Sequence, residues 1–474
     1  MNLSHSSSLR HSNSLLLGIF VVTTLAALGA AAGCKAKPSV EQPGAVAPVQ
    51  SNAPLSANDV TWLFPAPTKA ADFANLIAVR DLTTPNPQDP AKRDPVWSDS
   101  AFTQFQSFVN GPAAQVAGTT AQISLPTEAQ SIDAWFIAGV RIDAGAPGLS
   151  NDIHAQYGQL PEIRLIIQPI LKNPDGSPKV LDIAAHLIFD FITPTPDPPA
   201  QPNCFPRFVP DMASFTPVVL DAASLRSKLN NGQLGPHAIS TVGVPLGVHP
   251  GLADPATANA VRNEMLALLE RHISAQSLGS MAIAGLPKGA PAPWIFLSIL
   301  GDHAGHFAPA HGPTLDGQQF AQMLNPVGAN PRVVPEPHTN NLNPITCKNA
   351  AVSATSLPIA QRNGVATSAA FSSPPPAQPQ QILDTIADPA KSFFFNTDCI
   401  SCHTETRRTM ELLNVKEIPG ISSAALPNGP WDVRNLGWGE AGKGGMQATV
   451  TRRTANETAS VVSFINSELL PKQH

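Results

Sequence analysis

The chain has 474 residues, with 29 Lys and Arg against 34 Asp and Glu, a net charge of −5, and 49 prolines. No run of five or more basic residues occurs, so the electrostatic footprint of a nucleic-acid binder is missing. A 43% hydrophobic share excludes wholesale disorder, while only 13% charged residues and abundant proline favour loops and edge strands over long helices.

Arg10, with His5 and His11, precedes an apolar stretch from Leu15 to Ala32 that ends in small residues ahead of Cys34. Residues 1–33 therefore read as a secretory signal peptide. The segment Ala31-Ala32-Gly33-Cys34 resembles the lipobox of bacterial lipoproteins. That resemblance implies that Cys34 becomes the lipidated first residue of the mature chain and anchors it to a membrane. An ordinary Ala-x-Ala cleavage site and an uncleaved anchor helix compete with this reading, because the apolar stretch nearly spans a bilayer. Residues 34–57, rich in Pro, Ala, Val and Gln, read as a flexible tether. Each reading exports the chain, and the lipidated one holds it at the outer membrane, in the periplasm or on the cell surface.

Residues 58–345 read as a β-rich α+β domain with mainly antiparallel sheet and an unassigned role. Ile132 to Asp143 alternates, with Ile132, Ala134, Phe136, Ala138, Val140 and Ile142 expected on one face. Glu162 to Leu171 and Val180 to Ile192 read as a hairpin around the turn 172–178, with Ile183, Ala185, Leu187, Phe189 and Phe191 inward. Further strands are expected at Ser280 to Gly285 and Trp294 to Leu300. A helix beginning at Asp254-Pro255 places Val261, Met265, Leu268, Leu269 and His272 along one stripe. The segment Asp302-His303-Ala304-Gly305-His306, with His311 and His338 following, offers copper or zinc ligands, a distal haem ligand, or simply loop histidines. Residues 346–379, with Pro374-Pro375-Pro376, read as an interdomain linker.

Four cysteines follow Cys34. Cys399-Ile400-Ser401-Cys402-His403 has the form C-x-x-C-H, the covalent attachment site of c-type haem. Two thiols at that spacing add across the two vinyl groups of one porphyrin, and the adjacent imidazole becomes the proximal iron ligand. With this composition about one or two accidental matches are expected per thousand chains, which makes coincidence a poor account. A redox dithiol would want a βαβ context, and a structural zinc would want further ligands that only the isolated Cys204 and Cys347 could supply. In an oxidising compartment Cys204 and Cys347 most simply form a disulfide.

Around the motif, residues 380–474 resemble the class I cytochrome c domain, a small all-α fold. Asp388-Pro389 opens a short helix bearing Ala390, Phe393 and Phe394, and Thr454-Ala455-Asn456-Glu457 is a capping box before a helix with Val461, Val462, Ile465 and Leu469 on one face. The resemblance implies that these helices cross beside a single covalent haem c held by Cys399 and Cys402 and ligated by His403. It also implies a distal Met446, with Met410 the rival and His474, a histidine of the other domain or no ligand at all as the remaining alternatives, and a second-shell role for the Pro419 carbonyl in orienting His403. The segment Trp431 to Trp438 reads as aromatic core, lining the haem or facing the other domain.

Taken together, the expectation is an exported single-haem electron carrier with a redox partner protein, anchored to a membrane through lipid and binding no nucleic acid. A haem-dependent oxidoreductase and a surface-binding or structural lipoprotein with an ancillary haem domain are the alternatives. Whether the chain is an enzyme stays open at this point.

Overall fold

In a computed structural model the chain is described over residues 54–86, 88–114, 124–145, 160–193, 209–285, 293–309, 320–327, 330–334, 379–389, 399–429, 432, 434–442 and 444–471. A short helix α1 (Ala57–Val60) leads into β1 (Thr61–Leu63), followed by the ribbon β2 (Thr83–Pro85) and β3 (Arg93–Pro95) and by α2 (Asp99–Val109). Then come β4 (Trp135–Asp143), β5 (Glu162–Lys172), β6 (Pro178–Val180) and β7 (Ile183–Asp190). Helices α3 (Met212–Asn230), α4 (Pro250–Ala253) and α5 (Ala258–His272) precede β8 (Leu278–Gly285), β9 (Pro293–Gly301), β10 (Phe307–Pro309), β11 (Phe320–Val327) and β12 (Asn330–Val334). The C-terminal part holds α6 (Pro379–Ala387), α7 (Cys399–Leu413), the hairpin β13 (Leu436–Glu440) and β14 (Met446–Val450), and α8 (Arg452–Phe464).

The architecture is mixed α+β around one large antiparallel sheet, in the order β1-β4-β5-β7-β8-β9-β11-β12, with β6 on β5 and β10 on β9. Its register is set by the hairpin β5–β7, in which Ile163 faces Phe189, Leu165 faces Leu187 and Ile167 faces Ala185. These side chains are buried, as the alternation of the sequence requires. In β4 the simple alternation fails. A bulge between Ile137 and Gly139 shifts the phase, so Trp135 and Ile137 share the buried face with Val140 and Ile142, and Phe136 is only half-buried.

Helices cover the apolar face of the sheet. Phe215 of α3 meets Phe191 edge-on at 5.3 Å, and the His249 ring stacks on Trp62 at 3.6 Å while its Nδ1 accepts from Gly251 N at the start of α4. Arrayed along α5, Val261, Met265, Leu268 and Leu269 are buried, as their spacing predicts. Sequence reasoning did not find α3, whose apolar stripe is interrupted by Pro217 inside the helix.

The opposite face is where the structure departs most from expectation. Thr61, Arg141, Glu162, Arg164, Gln168, His186 and Asp190 occupy this side by register, a composition that reads as a solvated face. Instead the C-terminal part lies on it. Residues 49–474 cluster as one compact unit, and a distinct all-α unit over 380–474 is not shown. The hairpin β13–β14 belongs to that range and packs on the sheet because Trp438 is wholly buried there. Its backbone N–H donates to Gln168 Oε1 at 2.6 Å, its carbonyl accepts from Gln168 Nε2 at 2.9 Å, and its indole donates to the Phe64 carbonyl at 3.0 Å. Gly437, at φ 128°, permits the approach: a Cβ there would meet Gln168 Oε1 at 2.8 Å and Ile166 Cγ2 at 3.1 Å.

Helix α8 starts earlier than its predicted box. Thr451 is the N-cap, its hydroxyl accepting from Thr454 N, and Glu457 is taken by Arg141 and Arg453 rather than by a cap. Val461, Ile465 and Leu469 do share its buried side. Helix α6 ends at Ala387, before the expected start at Asp388, and Ala390, Phe393 and Phe394 lie outside the described residues. The two ends of the unit meet: Leu55 N donates to Asn466 Oδ1 at 2.8 Å and Asn466 Nδ2 donates to the Leu55 carbonyl at 2.9 Å.

Because Trp438 fills the join between hairpin and sheet, Trp438→Ala is expected to lower unfolding stability by about 3 to 5 kcal/mol. Val242→Ala, at a side chain 62% exposed, should change it by less than about 0.5 kcal/mol. Urea denaturation of both variants checks the pair.

Candidate functional site

The C-x-x-C-H run occupies the start of α7, so Cys399, Cys402 and His403 fall at i, i+3 and i+4 and share one side of the helix. The Cys399 side chain lies outside the described residues. Cys402 is half-buried, and its Sγ lies 4.0 Å from Asn435 Nδ2. Asn435 is held in that orientation from behind. Its carbonyl accepts from Thr451 N at 3.0 Å and from Thr454 Oγ1 at 2.9 Å, and its Oδ1 accepts from Thr451 Oγ1 at 3.2 Å, which turns the amide nitrogen towards the sulfur.

Helix α7 is fixed by its buried side. Thr406 Oγ1 accepts from Arg452 N at 2.8 Å, and Arg452 bridges Glu405 at 3.0 Å and Asp384 at 2.6 Å, joining α6, α7 and α8. Arg453 and Asn456 of α8 donate to the carbonyls of Ile386 and Ala387 at the end of α6. Three helices thus meet around the motif. Under them lies the polar face of the sheet.

That junction is unusually rich in buried charge. Arg141 pairs with Asp143 at 3.0 Å and with Glu457, Arg453 holds Glu457 at 2.6 Å, Arg164 holds Glu162 at 2.6 Å and Arg434 holds Asp182 at 2.8 Å. Burial pushes the Cys402 thiol up to about 12, with Arg453 opposing. An activated thiolate is therefore not what this environment makes, which disfavours dithiol exchange chemistry. Burial also drives His186 well below the imidazole range, and the charges of Arg164, His403, Arg434 and Arg141 add to it. Cys402, His403 and His186 nevertheless all keep accessible surface.

Other expected residues are not brought here. Met446 begins β14, paired with Glu440 at the far end of the hairpin, so five residues of extended chain, roughly 16 Å, separate it from Thr451 and Asn435. Met410 is half-buried two turns along α7 and packs into the core. Pro419 is exposed in the turn Ile418-Pro419-Gly420-Ile421, where Gly420 takes φ 79° and accepts from Leu246 N at 2.8 Å, so the carbonyls around it serve a turn tied to residue 246. Cys34, Cys204, Cys347, His311 and His338 lie outside the described residues, as does Trp431. His306 pairs with Asp302 at 2.8 Å, and His303 lies 3.9 Å from Asp190. Among the described residues no group of three or more His, Cys, Asp or Glu is placed to hold a metal ion.

Sequence reasoning missed His186, Arg434, Asn435 and the Arg141–Glu457 pair. One signal was present: the outward positions of β5 and β7 mix Glu162, Arg164, His186 and Asp190 with Ile166 and Ile188, whereas a solvated face would be polar throughout.

The donor chemistry of a covalent haem site is present in Cys402 and His403, both half-buried on α7. Beside them Arg164 and Arg434 are held by Glu162 and Asp182, and the buried Arg434 Nε has no hydrogen-bond partner among the described residues. Two electrostatic consequences are testable. Burial pushes Asp190 up to about 8, with Glu162 adding and Arg164 opposing, and burial pushes Asp432 up to about 7. An acid whose pKa folding raises stabilises the fold while protonated and loses that contribution as pH rises. Urea midpoints are expected to fall from about pH 4 towards pH 8, and Asp190→Asn should flatten the upper part of the fall. Glu457 behaves oppositely: burial would raise it, but Arg141 and Arg453 hold its carboxyl at about 2, so its contribution is present at neutral pH and lost as pH falls through that value. Glu457→Gln should cost up to about 3 kcal/mol, because two buried guanidinium groups lose their shared acid while Arg141 keeps Asp143 and Arg453 keeps the Ile386 carbonyl.

Comparison with known proteins leaves these residues to speak for themselves: no family model matches the chain, and no curated protein or solved structure is similar to it.

Proposed function

We propose that this chain is an exported c-type cytochrome that carries single electrons in the periplasm or at the cell surface, held to a membrane by lipid on Cys34. The observation that carries the reading is C-x-x-C-H in the first turns of α7, with Cys402 and His403 both half-buried on that helix. A haem c, when bound, supplies a one-electron ferric/ferrous couple. Cys399 and Cys402 hold the porphyrin covalently, and His403 ligates the iron. Asn435, fixed by Thr451 and Thr454, sets the position of the Cys402 sulfur.

The meeting of α6, α7 and α8 supports reading 380–474 as a cytochrome c-like unit whose core is completed by the sheet. Residues 58–345 then both wall the site and present the surface that docks a redox partner protein. Residues 1–33 are the leader and 34–57 the tether in this reading, 346–379 links the two parts, and Cys204 pairs with Cys347. The raised Cys402 thiol argues against the dithiol alternative.

The decisive experiment is production of the full chain in a host that matures c-type cytochromes, followed by denaturation in pyridine. One covalent haem per chain is expected in the wild type, and none in Cys399→Ser with Cys402→Ser. Absence of covalent haem in the wild type, while a control cytochrome matures in the same cells, overturns the reading.

A further inference from the structure

The segment between α3 and α4 ends in an apolar tip. From Asn231 to Ala253 the chain carries no Lys, Arg, Asp or Glu. Five large apolar side chains stay exposed among the described residues, and two of them, Val242 at 62% and Val244 at 38%, stand on either side of Gly243. Gly243 takes φ 74°, and nothing lies within 4 Å of the place its Cβ would occupy, so the tip projects from the surface. Pro245 extends the exposed run, and the next residue, Leu246, bonds Gly420 beside the exposed Pro419.

The tip is held firmly from below. Thr241 is fully buried, and its Oγ1 donates to Asp59 Oδ1 at 2.8 Å. Asn58 Nδ2 donates to the Val244 carbonyl at 3.1 Å and to the Pro245 carbonyl at 3.4 Å. Val244 N closes the turn on the Thr241 carbonyl at 3.3 Å. Both fastenings come from α1, which lies where the chain enters the folded unit. The Pro54 carbonyl there accepts from Arg226 of α3, and Leu55 is gripped by Asn466. Pro54 precedes Asn58 by four residues, at most about 14 Å of chain. The point of entry and the apolar tip therefore belong to one corner of the protein.

We infer that the tip Val242-Gly243-Val244-Pro245 rests in the surface of the bilayer that holds the lipid on Cys34, and so fixes which face of the protein lies against the membrane. This rests on the lipid-anchor reading above. Pro54 follows Cys34 by twenty positions, and in that reading a coil of this length spans about 25 Å, which keeps the corner bearing the tip within reach of the bilayer. Two valines and a proline bind lipid weakly by themselves. A tether of this length, however, supplies an effective concentration on the order of millimolar, so a weak contact is enough. Lys416 and Glu417, exposed in the neighbouring turn, are opposite in sign, and the attraction is apolar rather than electrostatic. Scattered surface valines are ordinary, but a paired, uncharged, rigidly mounted tip beside the point of attachment is not scatter.

The consequence for electron transfer is geometrical. A unit held at one point by a tether swings freely, whereas one held by tether and tip keeps a single face on the membrane and offers its other faces to a partner.

The test uses the full lipidated chain in vesicles of zwitterionic phosphatidylcholine containing a photoactivatable acyl-chain analogue. Mass spectrometry first establishes whether Cys34 carries lipid, and after irradiation it locates the lipid adducts. The wild type is expected to carry adducts on the peptide holding residues 238–246, undiminished in high salt. The exposed loop 304–306 between β9 and β10, five strands from β1, should carry none. Val242→Asp with Val244→Asp should cut the adducts at the tip several-fold without moving the urea midpoint, since both side chains are exposed. Val242→Phe should raise them. A lipidated wild type labelled no more at 238–246 than at 304–306, or an aspartate variant labelled like the wild type, overturns the tip as a membrane contact and leaves the anchor intact. Absence of adducts together with cross-links from the tip to a second protein gives the surface to a protein partner, which equally overturns the proposal. A chain with no lipid on Cys34 that stays free of the vesicles overturns the anchor reading and this inference with it.

Discussion

The ion pair between Arg141 of β4 and Glu457 of α8 is the constraint on which the rest of the architecture turns. Arg141 sits on the sheet face that would otherwise meet water, and its guanidinium is almost fully buried only because α8 lies across it. An arginine in that position without an acid would be costly, and so would Glu457 without Arg141. The chain solves both problems with Asp143, Arg453 and Glu162 around the pair. Ionic contacts of this kind contribute little net stability when weighed against apolar replacements, but they are exacting about geometry. Their role here is orientation: α8 can dock in one register, and Thr61 meeting Thr458 at 2.8 Å is the neutral contact one residue along.

From that docking follows the placement of everything near the C-x-x-C-H motif. Helix α8 begins at Thr451, Thr451 fixes Asn435, and Asn435 addresses Cys402. Arg452, the next residue, takes the Thr406 hydroxyl and the buried Glu405. A polar sheet face, a capped helix and an amide hydrogen bond thus form one continuous chain of cause from β4 to the sulfur. Low dielectric strengthens each link and makes each omission expensive.

How much of this could be read beforehand depends on whether the determinant was local. The strands Glu162 to Lys172 and Ile183 to Asp190, and the stripe of Val261, Met265 and Leu268, follow from local periodicity and were legible. The bulge at Ala138 was not, because the inward run Val140 and Ile142 continues a pattern that Trp135 and Ile137 contradict, and the sequence has no mark for the change of phase. The motif itself was legible because spacing in C-x-x-C-H is chemistry, independent of fold. Its surroundings were not. Arg434 and His186 are 248 positions apart in number, and the hairpin reaches the sheet beside them at Gly437, where a Cβ would meet Ile166, the strand neighbour of His186. A polar residue on a strand says equally well that water or another layer of protein lies beyond it. Met446 was named from its spacing to α8 alone, and spacing could not show that the segment before α8 is a strand, which carries residues along at about 3.3 Å per step.

The reciprocal bonds between Leu55 and Asn466 carry a consequence in time. They close a span of 411 residues, and the hairpin and α8 cap strands laid down hundreds of positions earlier. Contacts of such sequence separation form late, since the entropy of closing the chain must be met before they stabilise anything. In sequence order the strands of the large sheet all precede the hairpin and α8 that cover its polar side, and the C-x-x-C-H helix lies between them. Until α8 docks through Glu457 the C-x-x-C-H helix stays unenclosed, so α8 is the latch on that segment. A chain cut ahead of Thr451 would keep the strands of the sheet but lose the acid that neutralises Arg141 and the hydroxyl that fixes Asn435.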